Sequence, residues 1–373
     1  MTFNKVLDNL NIYEAGKPIE LLVREYGINP KDIIKLASNE NPYGTSPKVV
    51  KAIEKKSSSS FVYPDDSMYE LKEAIVKRFE VDDSNVIIGA GSDQIIEFCV
   101  HAKCDANSKV LMAKTTFAMY EIYSKQTGAS ILKTISDTHN LDEFRKIYKE
   151  EGADIIFLCL PNNPMGECLD AKDVYNFLDE IDKNTLVVLD GAYQEYAIYK
   201  DAVKKIDVKK VTEKYSNVIY LGTFSKAYAL GGLRVGYGIA NINIIQNLYK
   251  LRPPFNVTTL SLEGAKIALQ DEEFVQKCIK KNFKEMKRYE EYANKHKLKY
   301  IPSYTNFITI YTGENISKDV AQKLLERGII VRDMTGYGQN AIRITIGRKK
   351  QNTKVFKALD KFLDLNIKKV TLE

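Results

Sequence analysis

Ser92 and Asp93 follow the apolar run NVIIGAG, and Asn162 and Asn163 follow DIIFLCL. Asp190 closes TLVVLD with Tyr193 just beyond, while Ser225 and Lys226 follow NVIYLGTF, with Arg234 further on. Taken singly, each has an ordinary reading. Ser92 or Asp93 caps a helix, asparagines between prolines form turns, and Asp190 is another helix cap. Most of the 55 lysines and arginines are solvated surface charges. Taken together, the groups describe a specific chemistry. Glycines followed by Ser92 and Asp93 at a helix start offer free N–H groups to a phosphate. Asp190, at the end of a buried run, loses solvation and needs a cationic partner. Tyr193 and the asparagines of PNNP offer a phenol and an amide to a ring hydroxyl. Lys226 offers an amine to an aldehyde, and burial beside an arginine biases a lysine toward its neutral form. That set of partners describes pyridoxal 5'-phosphate, with Lys226 as the covalent anchor and later the proton carrier.

Such groups need a scaffold that gathers strand ends. From about residue 84 the chain alternates helical patterns with the runs NVIIGAG, KVLMA, SILKTI, DIIFLCL, TLVVLD, NVIYLGTF and RVGYGIA. These are β-branched and nearly continuous in apolarity, as strands covered on both faces are. Segments such as SDQIIEFCVHAK and LDAKDVYNFLDEID carry apolar residues at helical spacing. Right-handed crossovers then place helices on both faces of a mostly parallel α/β sheet. In a doubly wound sheet, ligands sit at the carboxyl ends of the strands, where all four groups fall. Near residue 255 the texture changes to long charged helices, then TNFITIY, IIVR and AIRITIG. The expected division is a large cofactor-binding domain over 41–255 and a smaller α+β domain over 256–373. Residues 1–40 pack with the small domain through the amphipathic stripe of PIELLVREYG.

Bulk properties exclude several classes. The chain has 373 residues, 44% hydrophobic and 28% charged, with a net charge of +6. Its lysines are dispersed, which argues against a nucleic-acid footprint. No apolar run approaches the ~18 residues of a membrane helix, and the first residues contain no apolar signal core. Cys99, Cys104, Cys159, Cys168 and Cys278 lack zinc-site spacing and read as reduced thiols, which makes the cytoplasm the default compartment. No metal site is expected.

The chain resembles the fold-type I pyridoxal-phosphate aminotransferases, and within them the histidinol-phosphate branch. The resemblance runs through YEAGKP, LASNENPYG, YPDD, GAGSDQ, TFAMY, PNNPMGE, VLDGAYQEY, TFSKAYALGGLRVGYG, IIVRDM and AIRITIG in order. It implies a large domain with a mostly parallel central sheet plus a smaller α+β domain. By resemblance, Lys226 forms the Schiff base, Asp190 keeps the ring nitrogen protonated, and Tyr193 and Asn163 bond the ring's 3'-oxygen. Phe117 stacks on the ring, and Ser92, Asp93, Ser225 and Arg234 hold the phosphate. Tyr63 reaches that phosphate from the other subunit of a homodimer with shared active sites. Arg343 takes a substrate anion, Arg332 is a second anion clamp, and Tyr13 and Asn41 line the pocket. The implied reaction is transamination of histidinol phosphate with 2-oxoglutarate, releasing imidazole acetol phosphate and glutamate. Met165, Ala90 and Thr115 depart from the usual threonine, polar residue and proline of the family motifs. An aromatic amino-acid aminotransferase or an amino-acid-phosphate decarboxylase would use the same scaffold. A dehydrogenase would need G-x-G-x-x-G, and GAGSDQ lacks its third glycine.

Overall fold

The computed structural model describes residues 5–10 and 25–370; Tyr13 and most of PIELLVREYG lie outside them. Strand β1 (Ile34–Lys35) precedes seven strands of one sheet. These are β2 (Val86–Gly89), β3 (Lys109–Met112), β4 (Ser130–Lys133), β5 (Ile155–Cys159), β6 (Leu186–Asp190), β7 (Val218–Thr223) and β8 (Gly236–Ala240). Their order is β2-β8-β7-β6-β5-β3-β4. β8 runs antiparallel to both β2 and β7, and the remaining pairs are parallel.

The central runs are continuously apolar because the sheet is buried on both faces. Ile156, Leu158, Val187, Leu189 and Tyr220 enter one core. Ile155, Phe157, Val188, Ile219 and Leu221 enter the other. SILKTI departs from that expectation. β4 is an edge strand paired only with β3, Ser130 and Lys133 are exposed, and Ile135 beyond it is 78% exposed. An edge has one side without a partner strand, and a lysine there discourages further pairing.

A third core gathers Ile34, Leu36, Tyr289, Ile308, Ile310, Leu324, Ile342 and Ile344. There β9 (Phe307–Tyr311), β11 (Arg332–Asp333) and β12 (Ala341–Thr345) form an antiparallel sheet in the order β11-β12-β9. IIVR is not one strand. β10 (Ile329–Ile330) pairs in parallel with β1, and Arg332 begins the strand that pairs with β12. Leu36 donates its N–H to Ile330 O at 2.8 Å, and its carbonyl accepts Thr345 N–H at 2.8 Å. Residues 37–41 then run from this second sheet to the end of the first.

Candidate active site

A cavity of about 330 Å³ opens at the carboxyl ends of β5, β6 and β7. It brings together Ser92, Asp93, Phe117, Asn163, Asp190, Tyr193, Ser225, Lys226 and Arg234. Neighbouring parallel strands end at one level, so Cys159 and Asp190 stand side by side in register.

Asp190 is 4% exposed. Its Oδ2 accepts Tyr120 O–H at 2.6 Å and its Oδ1 accepts Ala192 N–H at 3.0 Å. Burial raises its pKa above the ordinary carboxylate value, while the Tyr120 and Ala192 hydrogen bonds oppose that shift. A cation set against it would favour the charged form, as expected for a protonated ring nitrogen.

Lys226 occupies the tight turn after β7. Its Nζ reaches Ser38 O at 3.4 Å and lies 5.7 Å from the centre of the Tyr193 ring. Burial first, then Arg343 and Arg234, pull its pKa down to about 8. At a pKa of about 8, roughly a tenth of such an amine is neutral at pH 7, far more than for an ordinary lysine, and the neutral form is what a nucleophile requires.

The anion end is built from backbone and a constrained arginine. Gly91, at φ +81°, precedes the helix Ser92–Lys103, and Gly91, Ser92 and Asp93 at its start line the cavity. A side chain at Gly236 would put Cβ 2.1 Å from Ser92 N, so glycine there lets the helix start press against β8. Arg234 takes the left-handed backbone at φ +53°. It donates from Nη1 to Ser225 Oγ at 3.3 Å and to Gly231 O at 3.1 Å. A non-glycine residue held in that conformation is strained, and such strain gathers at functional sites. Tyr123 O–H donates to Asp93 Oδ2 at 2.9 Å, while Asp93 Oδ1 is buried without a partner. Its carboxylate would repel a phosphate, so any help Asp93 gives an anion comes from its N–H.

Arg343 on β12 is 7% exposed and approaches the cavity from the second sheet. It donates from Nη1 to Asn163 Oδ1 at 2.6 Å and from Nη2 to Ala37 O at 2.7 Å. Its antiparallel partner in register is Arg332, which places both side chains on one face of the sheet. Thr309, across β12 on β9, shares that face and donates to Pro164 O at 2.6 Å, so the face looks toward the PNNP turn. Arg332 is only half-buried and does not line the cavity. Asn41 does not line it either. Its Nδ2 donates to Ala227 O at 3.2 Å and its Oδ1 accepts Tyr43 N–H at 3.1 Å, which fixes the turn beyond Lys226. Tyr63 lies outside this cavity, 78% exposed and stacked on Phe255 at 4.7 Å.

Two residues of the site go unannounced in the sequence. Tyr120 closes TFAMY one helical turn beyond Phe117, and nothing in that spacing marks it as the partner of Asp190. Asn39, within LASNENPYG, donates from Nδ2 to Tyr193 Oη at 2.9 Å. Its partner lies 154 residues away, and no spacing pattern announces such a contact.

The family model of class I and II aminotransferases matches residues 31–359. The chain belongs to the class I and II aminotransferases, among the histidinol-phosphate aminotransferases. The histidinol-phosphate aminotransferase of Aliarcobacter butzleri is 67% identical over 364 residues, covering 97% of this chain and 99% of that one. The corresponding enzyme of Sulfurimonas denitrificans is 61% identical, covering 97% and 100%. Among solved structures, histidinol-phosphate aminotransferase from Sinorhizobium meliloti in complex with pyridoxal 5'-phosphate superposes with a TM-score of 0.89 at 24% identity. It covers 97% of each chain, and at that identity the match speaks for the fold.

The aminotransferase family's cofactor is pyridoxal 5'-phosphate, and the side chains of this cavity fit it. Asp190 keeps lone pairs for a protonated nitrogen, Lys226 is a low-pKa amine, and the helix start with Ser225 and Arg234 donates to an anion. Among the described residues no group of three or more His, Cys, Asp or Glu side chains is placed to hold a metal ion. Nor is any helix among them long and apolar enough to cross a membrane. The five cysteines are free.

Proposed function

We propose that this chain transfers the amino group of L-histidinol phosphate to 2-oxoglutarate, giving imidazole acetol phosphate and L-glutamate. The observation that carries the substrate is the 67% identity to a histidinol-phosphate aminotransferase across 97% of this chain, and the cavity supplies the chemistry through Lys226, lowered to about 8, and Asp190. Bound pyridoxal 5'-phosphate supplies the reactive carbonyl and an electron-withdrawing ring. Asp190 holds the proton on the ring nitrogen, and Tyr120 and the Ala192 N–H hold Asp190 in place. Ser92, Asp93 through its N–H, Ser225 and Arg234 would hold the phosphate, Tyr193 and Asn163 would bond the ring oxygen, and Phe117 would stack on the ring.

Lys226 Nζ is the base that takes the substrate's α-proton and the acid that returns it. Arg343 orients the substrate by its anion, with Arg332 beside it on the same face. A guanidinium forks onto phosphate or carboxylate alike, so one clamp serves histidinol phosphate and then 2-oxoglutarate. Tyr63 completes the phosphate site of a second copy, in a homodimer. Exposed Phe61, Tyr63 and Tyr69 support an interface there. Free cysteines support a reducing, cytoplasmic setting.

The test is single-turnover amino transfer with histidinol phosphate, phenylalanine and glutamate as donors to the cofactor-loaded protein. Histidinol phosphate is expected to give the highest kcat/KM of the three. A higher value for phenylalanine would replace this substrate with aromatic amino acids and leave the cofactor site as described.

A further inference from the structure

Three buried side chains form a hydrogen-bonded chain that ends at the cavity: Thr345 at the end of β12, Asn39 in the connecting segment, and Tyr193 in the cavity wall. Each is 2% exposed, so bulk water does not compete for their hydrogen bonds. Asn39 N–H donates to Thr345 Oγ1 at 2.9 Å. The Thr345 hydroxyl in turn donates to Asn39 Oδ1 at 3.2 Å. A hydroxyl has one hydrogen, and here the backbone N–H occupies an acceptor site on it, which leaves that hydrogen for Asn39 Oδ1. With its oxygen held by Thr345, the Asn39 amide turns its NH2 to Tyr193 Oη at 2.9 Å. The reversed amide would set NH2 against a hydroxyl already accepting one N–H, and would draw the Tyr193 proton toward Asn39.

The backbone secures the same geometry. Asn39 holds φ +56°, a conformation asparagine tolerates better than most residues. Asn306 Nδ2 donates to Asn39 O at 2.9 Å, which pins the peptide. Tyr193 therefore accepts from behind, and its own proton points away from Asn39.

We propose that Thr345 and Asn39 form a directional hydrogen-bond relay that fixes Tyr193 as a proton donor into the cavity. Asn39 and Thr345 are positioning residues that act through the phenol. The proposal rests on the reading above, in which Tyr193 faces the ring oxygen of pyridoxal 5'-phosphate. A phenol that donates to that oxygen stabilises its negative charge, and so competes with the proton shared between the oxygen and the nitrogen derived from Lys226. The relay therefore lowers the pH at which that shared proton is lost.

The experiment is a pH titration of the visible absorbance of the holoenzyme without substrate, a readout independent of turnover. Tyr193→Phe is the reference and is expected to raise the midpoint. Thr345→Val keeps shape and charge and is expected to raise it by a smaller amount, up to about one pH unit, a tenfold change in proton affinity. Thr345→Ser, which keeps the hydroxyl, is expected to restore it. In the Tyr193→Phe background, Thr345→Val is expected to add nothing, because the phenol it orients is gone. If Thr345→Val leaves the midpoint unchanged, or shifts it equally in both backgrounds, the relay is overturned while the Tyr193 assignment stands. If Tyr193→Phe itself causes no shift, the placement of Tyr193 falls and the relay with it. Should Thr345→Val fold poorly, Asn39→Asp replaces it in the same cycle. It keeps the side-chain shape but removes the NH2 donor, so its shift in the native background must exceed its shift beside Tyr193→Phe. Equal shifts in the two backgrounds would overturn the relay.

Discussion

Tyr120 donates a 2.6 Å hydrogen bond to Asp190 Oδ2 beneath the cavity, with Tyr120 wholly buried and stacked flat on Phe157 at 4.4 Å. The phenol opposes the effect of burial, which raises the Asp190 pKa. Tyr120→Phe keeps the stack and removes the donor. Hydrogen bonds to charged groups contribute about 1.5–3 kcal/mol, so cofactor affinity is expected to fall by roughly ten- to a hundredfold. Absorbance titration of the cofactor-free variant with pyridoxal 5'-phosphate measures it. Unchanged affinity would show that the bond to Ala192 N–H holds Asp190 alone.

The Lys226 amine sits at about 8 in the cofactor-free protein, lowered chiefly by burial. Its nucleophilic form therefore gains population as pH rises toward that value and saturates above it. The rate of covalent capture of pyridoxal 5'-phosphate is expected to rise roughly tenfold per pH unit below the midpoint and then level off. Lys226→Ala should bind the cofactor without covalent attachment and lose turnover. A capture rate independent of pH across the midpoint would place the amine outside the influence of Arg343 and Arg234.

Local chemistry was legible in the sequence wherever one strand end carried it. Asp190, Lys226 and the turn at Ser92 are each announced by the apolar run before them, because a buried parallel strand and its exposed end contrast sharply in residue type. The site's cross-chain supports were not legible. Asn39 meets Tyr193 and Thr345 across 154 and 306 residues, and Arg343 meets Ala37 across 306. Such contacts follow from how the two sheets dock. SILKTI reads like its buried neighbours, yet its place at the edge is set by strand order, which composition does not encode. IIVR looks continuous, but Val331 separates a strand paired to β1 from one paired to β12.

Glu195 lies two residues beyond Tyr193 and has a buried Oε2 with no hydrogen-bond partner. Burial pushes its carboxyl up to about 7, with Arg78 pulling the other way and Glu272 adding to the rise. The folded value lies above the ordinary value of 4.5 for a glutamate, so between the two the folded state holds an extra proton. Stability from this group is full below the unfolded value and is lost as pH rises through about 7. Glu195→Gln is expected to flatten that loss. Denaturant midpoints at about pH 5 and about pH 8.5 check it, and an unchanged difference between them would assign the dependence to another group.

Arg343 makes two short hydrogen bonds, to Asn163 Oδ1 and Ala37 O, and lies over the Phe307 ring at 5.1 Å. Arg343→Ala is expected to damage both half-reactions, each by about 2–5 kcal/mol, because a desolvated charge pair with the substrate is lost. Arg343→Lys restores charge without the fork and should recover only part of the loss. Separate single-turnover measurements with histidinol phosphate and with 2-oxoglutarate decide the matter. Damage confined to one of them would move the other anion to Arg332.

Tyr63 tests the shared site. Its ring is 78% exposed and stacked on Phe255, while Arg252 pairs in a two-pronged contact with Asp66 at 2.9 and 2.7 Å to hold the same loop. Tyr63 is therefore accessible from outside its own chain, as the proposed dimer requires. A protomer carrying Lys226→Ala has no amine but a complete Tyr63, and one carrying Tyr63→Ala has the reverse. In a twofold dimer of the two, one site takes Lys226 from one chain and Tyr63 from the other and is intact, while its twin has lost both. Random exchange makes half the dimers mixed, so about a quarter of all sites should recover native behaviour. Activity after unfolding and refolding the two variants together is expected to exceed the mean of the separately refolded variants, toward that limit. No gain over that mean, with mixed dimers demonstrated by differently tagged chains, would place Tyr63 outside the partner's site.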